Sequence, residues 1–288
     1  MSALTPDPAH ALSASGNLAR RQLISRIFVS GTVLACGLAV VVLAILILYC
    51  AVNGASKLSF AFLFGGAPGI GPDIVGTAEL ALIAVLIALP IGVLTALALA
   101  EFASARLARA FQVALELMAG LPPVLLGVFV VILIVKHWHQ SALAGGVAMA
   151  LLEMPLIAAT TLQALRSVPE PMRNGAEALG VARWRTIVGL VLPAVSGAIL
   201  TATILATARA AGDAALVIFT AGPDFAASSV QIDPTQGIPN LAQHLFTLLD
   251  TGQAAAAWSA AFVLMVIILA ANIAARVLLT RNNRKLGL

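Results

Sequence analysis

The feature that most constrains this chain is a series of apolar runs, each about as long as the ~20 residues a helix needs to cross a bilayer, separated by short polar segments. They fall at roughly 27–52, 77–100, 115–135, 143–165, 190–221 and 256–279. A soluble fold could not hide them all: of 288 residues, 61% are hydrophobic and only 10% charged, with a mean hydropathy of +1.04. The alternating apolar and polar strands of a membrane barrel are absent. The expected fold class is therefore all-α, a polytopic membrane protein with six transmembrane helices. The fifth run is longer than a crossing requires and should be tilted, bent or partly outside the hydrocarbon.

Residues 1–19 are rich in Ala, Ser and Pro, without apolar periodicity, and predict a mobile tail ending at Arg20 and Arg21. The run 27–52 exceeds the ~7–15-residue core of a cleavable signal, which favours an uncleaved first span. The chain then divides into the tail (1–19), a first transmembrane helix with an outer loop (20–76) and a core of five further spans (77–288). Cys36 and Cys50 both lie in the first run, where one straight helix cannot join them, so packing is their expected role and no disulfide framework or metal centre is suggested.

Orientation follows from Lys and Arg, which are retained on the cytoplasmic side. With both termini inside, the cytoplasmic segments carry Arg20, Arg21, Arg26, Arg106, Arg109, Arg166, Arg173, Arg183, Arg185, Arg276, Arg281, Arg284 and Lys285 of the 16 basic residues. The outer segments hold only Lys57 and Lys136, and Arg209 lies within the fifth span. This one-sided scatter accounts for the net charge of +4 and the pI near 9.7 through membrane topology, with no nucleic-acid partner. The outer segments 54–76 and 222–253 are long enough to fold against the membrane. In the second, Asp224, Asp233 and Asp250 have only His244 as a cation, and a solvated loop is expected.

The segment RSVPEPMRNGAEALGVARWRTIVGLVLPAV (166–195) is polar with helical spacing. Ala176, Ala178 and Gly180 permit close approach, and Trp184 offers an aromatic anchor. An interfacial amphipathic helix, with Trp184 among headgroups and Arg183 and Arg185 facing anionic lipid, is the competing reading. No Walker A or other Gly-rich phosphate loop occurs in the chain.

This segment resembles the docking element of ABC importer permeases, E-A-A, three residues, Gly, nine residues, I-x-L-P, and is expected to form a short helix, a Gly turn and a second helix lying at the membrane surface, which a nucleotide-binding subunit can grip in a groove. Asn174, Gly175 and Ala176 hold the triplet, Glu177 and Ala178 open the spacer, Gly180 follows, and Leu192 and Pro193 close the match, with Leu190 at the Ile position. The chain from about residue 70 onward is similar to the PstA-type permeases of phosphate ABC importers. Gly76, Thr77, Pro90 and Glu101 stand at the family's places along the second span. AGLPPVLLGVF (119–129) is similar to its Gly-x-Pro-Ser-x-x-x-Gly-x-Phe segment, with Pro123 in place of Ser. ARAAGDAALVIFTAG (208–222) resembles the R-A-x-G-E-T-A-P-L-x-x-T-A sequence, keeping Arg209, Gly212, Thr220 and Ala221. Asp213 replaces the Glu, and the family's Thr and Pro are absent.

The resemblance implies a type I ABC importer permease fold in the bacterial inner membrane, a docking element at 166–193 for a nucleotide-binding subunit, and helix breaks at Pro90, Pro122 and Pro123. The implied partners are a PstC-type permease, two PstB-type ATPases, a PstS-type phosphate-binding protein, phosphate and membrane lipid. No cofactor is expected on this chain, since ATP and Mg would be used by the ATPase, and no covalent chemistry is expected here. An Arg at mid-span is costly unless it faces a partner or a cavity. Arg209 is accordingly expected to offer its guanidinium to a passing oxyanion, with Asp213 one turn away to neutralise it, and snorkelling of Arg209 to the outer interface is the competing reading. Glu79, Glu116 and Glu153 are further ionisable residues in the spans, without an assigned transport role. Another oxyanion such as sulfate or molybdate, an ion-coupled secondary transporter, or a non-transporting membrane sensor or assembly subunit are the alternatives.

Overall fold

The structure is a computed structural model that describes residues 18–55, 58–65, 69–222 and 232–285. The expected tail therefore lies almost wholly outside the described residues, as do Asp224, Lys57 and the 223–231 part of the second outer segment. Among the described residues the regular structure is entirely helical. The chain falls into two units, residues 1–52 and 53–288.

The first unit consists of most of α1 (Leu18–Gly54), apolar around its whole circumference and exposed along its length, as befits a helix solvated by lipid. Cys36 and Cys50 are both unbonded within it. In the second unit, a short helix α2 (Phe60–Phe64) is capped by Ser59, whose hydroxyl accepts from Phe62 N–H. The span α3 (Gly71–Leu97) follows, extended by a π-helical turn at Ala98–Phe102. Next come α4 (Ala105–Ala119) and α5 (Pro123–Val130, with a π-helical turn at Val131–Val135), and then the span α6 (Ala142–Ser167). Beyond it lie α7 (Glu170–Ala178) and α8 (Arg183–Thr186), which runs through a π-helical turn, Ile187–Val191, into α9 (Leu192–Ala211). Two short helices, α10 (Ala214–Thr220) and α11 (Leu241–Asp250), precede the last span, α12 (Ala254–Lys285).

Among the described residues, five stretches are long and apolar enough to cross a membrane: Arg20–Gly54, Gly71–Phe102, Ala142–Ser167, Arg183–Ala211 and Ala254–Arg281. The sixth is the pair Ala105–Ala119 and Pro123–Val135, bent by 96°. The third span expected at 115–135, with its helix break at Pro122 and Pro123, is an amphipathic α4 and a short α5 that meet at those prolines. Pro122 and Pro123 lack the N–H groups that would continue the ladder, and Leu121, preceding a proline, is pushed out of the helical region. Glu116 consequently lies on an exposed face of α4, where Gln112 Nε2 donates to its Oε1 at 3.3 Å. Pro90, expected to break its helix, instead lies within continuous α3, where packing against a neighbouring helix makes the lost backbone bond tolerable. The expected fifth span, 190–221, starts earlier and stops earlier: it is continuous from α8, and the helix ends at Gly212.

The core sits between α3 and α6, whose small residues let the backbones approach, as helices in lipid must do without a hydrophobic drive between them. Ala84, Ala88, Ala144 and Ala148 are buried there with Leu80, Met149 and Ile157. A Cβ on Gly92 would press on Ile157, and one on Gly146 would overlap Ile83. At one end of the pair, Thr77 accepts from Leu241 N–H at 3.0 Å, Ser141 N–H donates to Thr220 O at 3.0 Å, and a Cβ on Gly76 would collide with the Pro239 carbonyl. At the other end, Ala96, Leu99, Leu162, Leu165, Val168 and Val191 bring the termini of α3 and α6 together beneath α8.

These contacts predict that Gly76→Ala, which must displace a backbone carbonyl, will destabilise the protein by about 1–3 kcal/mol. Gly31→Ala, whose added methyl meets nothing within 4 Å, should be neutral. Thermal denaturation of both variants in one detergent measures the difference.

Candidate functional site: the helix–turn–helix 170–186 and the 209–213 break

The turn between α7 and α8 follows directly from its sequence. Leu179 is the C-cap of α7, and the next residue, Gly180, has φ +73°, a left-handed conformation that L side chains rarely adopt. Its N–H donates to Glu177 O at 2.9 Å, while Val181 N–H reaches back to Ala176 O at 3.1 Å. This is the Schellman closure, and it satisfies carbonyls that the end of α7 would otherwise leave bare. Gly180 thus has a conformational reason to stand at its place in the motif.

The second limb departs from expectation. It was expected to be a separate surface helix, but α8 passes into the span through the π-helical turn Ile187–Val191. That turn ends just before Pro193, which cannot supply the backbone donor required by the preceding turn. A displacement of α8 is therefore a displacement of the end of a span.

The helix–turn–helix presents an unusually open surface. No residue of α7 is buried, Leu179 is 84% exposed and Trp184 is 63% exposed, with the Arg185 guanidinium 5.2 Å from the centre of the Trp184 ring. Asn174, Gly175, Glu177 and Ala178 are exposed and Ala176 is half-buried; Leu192 is half-buried and Pro193 exposed. Sequence reasoning missed what holds this element down. Glu101, in the π-helical turn ending α3, pairs with Arg173 on α7 and with Arg183 on α8. The signal was a lone acidic residue closing a span beside basic segments.

Arg209 and Asp213 occupy a second break. Arg209 lies in the last turn of α9 and is exposed. Asp213 is in extended conformation, outside that helix, and its carboxylate caps α10 by accepting Leu216 N–H at 3.3 Å. The expected pairing of Asp213 with Arg209 along one helix face is not present among the described ion pairs, because the helix ends between the two residues. Gly127 of α5 approaches Leu216 closely enough that a Cβ would contact its carbonyl at 3.3 Å, so the two interrupted segments pack on each other.

An open cavity of about 500 Å³ lies between α3 and α9, lined by apolar side chains such as Val85, Leu89, Leu192 and Ile199, with the hydroxyls of Ser196 and Thr203. Arg209 and Asp213 do not line it. Glu153 is buried, and Thr207 Oγ1 donates to its Oε2 at 3.0 Å, tying α6 to α9. His244 Nδ1 lies 2.7 Å from Asp73 Oδ2 on α3, so its acidic partner is in the core and not in the outer segment where Asp233 and Asp250 lie. Asp233 is engaged with Thr235, whose hydroxyl and N–H donate to it and hold its carboxyl below the usual carboxylate range. Among the described residues, no group of three or more His, Cys, Asp or Glu side chains could hold a metal ion.

Residues 88–284, which include the helix–turn–helix, α9 and the 209–213 break, match the family model described as binding-protein-dependent transport system inner membrane component. The chain belongs to this permease family. The permease is 31% identical over 238 residues to the phosphate transport system permease protein PstA of Xylella fastidiosa (strain 9a5c), covering 75% of this chain and 83% of that protein. It is 35% identical over 204 residues to a probable PstA of Methanocaldococcus jannaschii, covering 70% and 73%. Among solved structures, it resembles the MetNI methionine ABC transporter in an inward-facing conformation, with TM-score 0.61 and 17% identity over 78% of this chain and 99% of that one. It also resembles a bacterial alginate ABC transporter in complex with a pentasaccharide-bound periplasmic protein, with TM-score 0.63 and 15% identity over 93% and 96%. The permease therefore has the type I importer fold that its sequence suggested.

Gly180→Ala places a side chain in open space but in a left-handed conformation, so its penalty of about 1–2 kcal/mol is purely conformational. Faster hydrogen exchange confined to residues 176–182 is the expected result. Gly175→Ala, also in open space but within α7, should not accelerate exchange there.

Proposed function

We propose that this permease is the membrane-spanning subunit of an ATP-driven importer that carries inorganic phosphate across the bacterial inner membrane. It would pair with a PstC-type permease above two PstB-type ATPases and receive phosphate from a PstS-type binding protein. The observation that carries this reading is the exposed, Schellman-closed helix–turn–helix, continuous with a span and set within a sequence similar to several PstA proteins. Its exposed Leu179 and Trp184 offer apolar and aromatic anchors to a groove on a nucleotide-binding subunit.

Phosphate, as opposed to another cargo, is supported by the PstA relatives and by Arg209. A guanidinium presents paired donors that match phosphate oxygens. Asp213, which is not paired with Arg209, can accept a hydrogen bond from the hydroxyl of hydrogen phosphate, a bond that fully ionised sulfate cannot donate. In this reading, ATP-driven closure of the motor moves the 176–193 element and, through the continuous α8 and α9, alters access to the path between the two permeases. Both termini and the basic segments face the cytoplasm, in accordance with the retention of Lys and Arg on that side.

The test is ATP-dependent uptake of radiolabelled phosphate by the reconstituted importer, with sulfate and molybdate as competitors. Arg209→Gln should reduce phosphate uptake by about tenfold or more, the loss expected when a charge-assisted contact worth roughly 1.5–3 kcal/mol is removed. Uptake of phosphate at the original rate by a correctly assembled Arg209→Gln variant would refute the assignment of this residue. Uptake of sulfate or molybdate in place of phosphate would refute the cargo.

A further inference from the structure

We infer that Glu101 is a positioning residue whose buried carboxylate, gripped by Arg173 and Arg183, makes the 170–186 helix–turn–helix and the end of α3 move as one body. The inference rests on the proposed docking role of that element. The Glu101 side chain is 5% exposed. Arg173 Nη1 donates to its Oε1, and Arg183 Nη2 donates to its backbone carbonyl and lies 3.4 Å from Oε2. Arg173 Nη2 also donates to Leu165 O at 2.8 Å, and the Arg183 guanidinium lies 5.1 Å from the centre of the Phe102 ring. One carboxylate and its neighbouring groups thus collect both limbs of the helix–turn–helix, the end of α3 and the last turns of α6.

Little else does so. α7 has no buried residue, and α8 buries only Thr186, with Ile187 buried just beyond it. Two arginines replace the hydrophobic contact that would ordinarily seat a helix, and their forked geometry fixes direction as well as distance. The π-helical turns Ala98–Phe102 and Ile187–Val191 adjoin the joint on both sides. They widen the ladder where a rigid element must pass its motion to a longer helix. Because α3 and α9 line the groove, a force applied to α7 reaches both of its walls: through Glu101 to α3, and through the continuous chain to α9. Without Glu101 the α3 wall would be driven only indirectly, through its packing on α6 and α9.

The test uses the intact importer in proteoliposomes, with radiolabelled phosphate as the probe and ATP hydrolysis measured in parallel. In Glu101→Gln the ATPase subunit should still copurify and ATP hydrolysis persist, while phosphate uptake per ATP falls about tenfold, within the 5–150-fold range of coupling between linked sites. Glu101→Asp, which keeps the charge, should restore part of the loss. A residue needed only for folding would lower assembly, hydrolysis and uptake together.

A second measurement does not depend on the variant folding. Spin labels at Met172 on α7 and Leu94 on α3, with Cys36 and Cys50 replaced by Ser, report the distance across the joint. In the otherwise native complex that distance should hold within about 2 Å between nucleotide-free and vanadate-trapped states, the scale of small packed shifts. A change of more than about 5 Å, or Glu101→Gln uptake coupled to ATP as in the native protein, overturns the inference. Failure of any nucleotide-binding subunit to copurify with the unaltered chain would instead overturn the docking role on which it rests.

Discussion

The close approach of α3 and α6 is the contact on which the rest of the arrangement depends. In lipid the chain gains nothing from burying one apolar side chain against another rather than against an acyl tail, so helices associate where small residues let backbones come near. Ala84, Ala88, Gly92, Ala144, Gly146, Ala148 and Ala158 supply that surface. The paired helices bring one set of ends to Thr77, Ser141 and Leu241, and the other to Glu101, Leu165 and Val191. The helix–turn–helix then has a fixed platform, and α9 can pack along the pair without closing the groove beside α3.

Interruptions in helices leave backbone groups that a hydrocarbon solvent cannot satisfy, so the chain must answer them itself. At 120–123 Pro122 and Pro123 lack donors and so leave fewer groups to satisfy. At 212–213 the Asp213 side chain caps α10 and satisfies Leu216 N–H. The two breaks approach each other through Gly127 and Leu216.

The helical class, the apolar stretches and the turn at Gly180 were legible in the sequence because each depends on a local property: hydropathy over a window, or a glycine at a required left-handed position. The ends of the spans were not. The break at Pro122 and Pro123 could be read from the prolines, but not that the helix before it starts as early as Ala105; whether α9 continues past Ala211 was decided by the capping of α10 by Asp213. Pro90 shows the converse, a breaker absorbed by tertiary packing. Long-range pairs were least visible: Glu101 is 72 residues from Arg173 and 82 from Arg183, and Asp73 is 171 from His244, so no window contains them.

The central claim is that the exposed turn of the helix–turn–helix is where a nucleotide-binding subunit grips this permease. A photo-crosslinking amino acid at Leu179, the most exposed apolar position of that turn, tests it in native membranes. The account predicts an adduct with a polypeptide that carries a Walker A sequence, diminished when the complex is dissociated before irradiation. Adducts with lipid alone would place the turn at the membrane surface as a passive interfacial element and contradict the account.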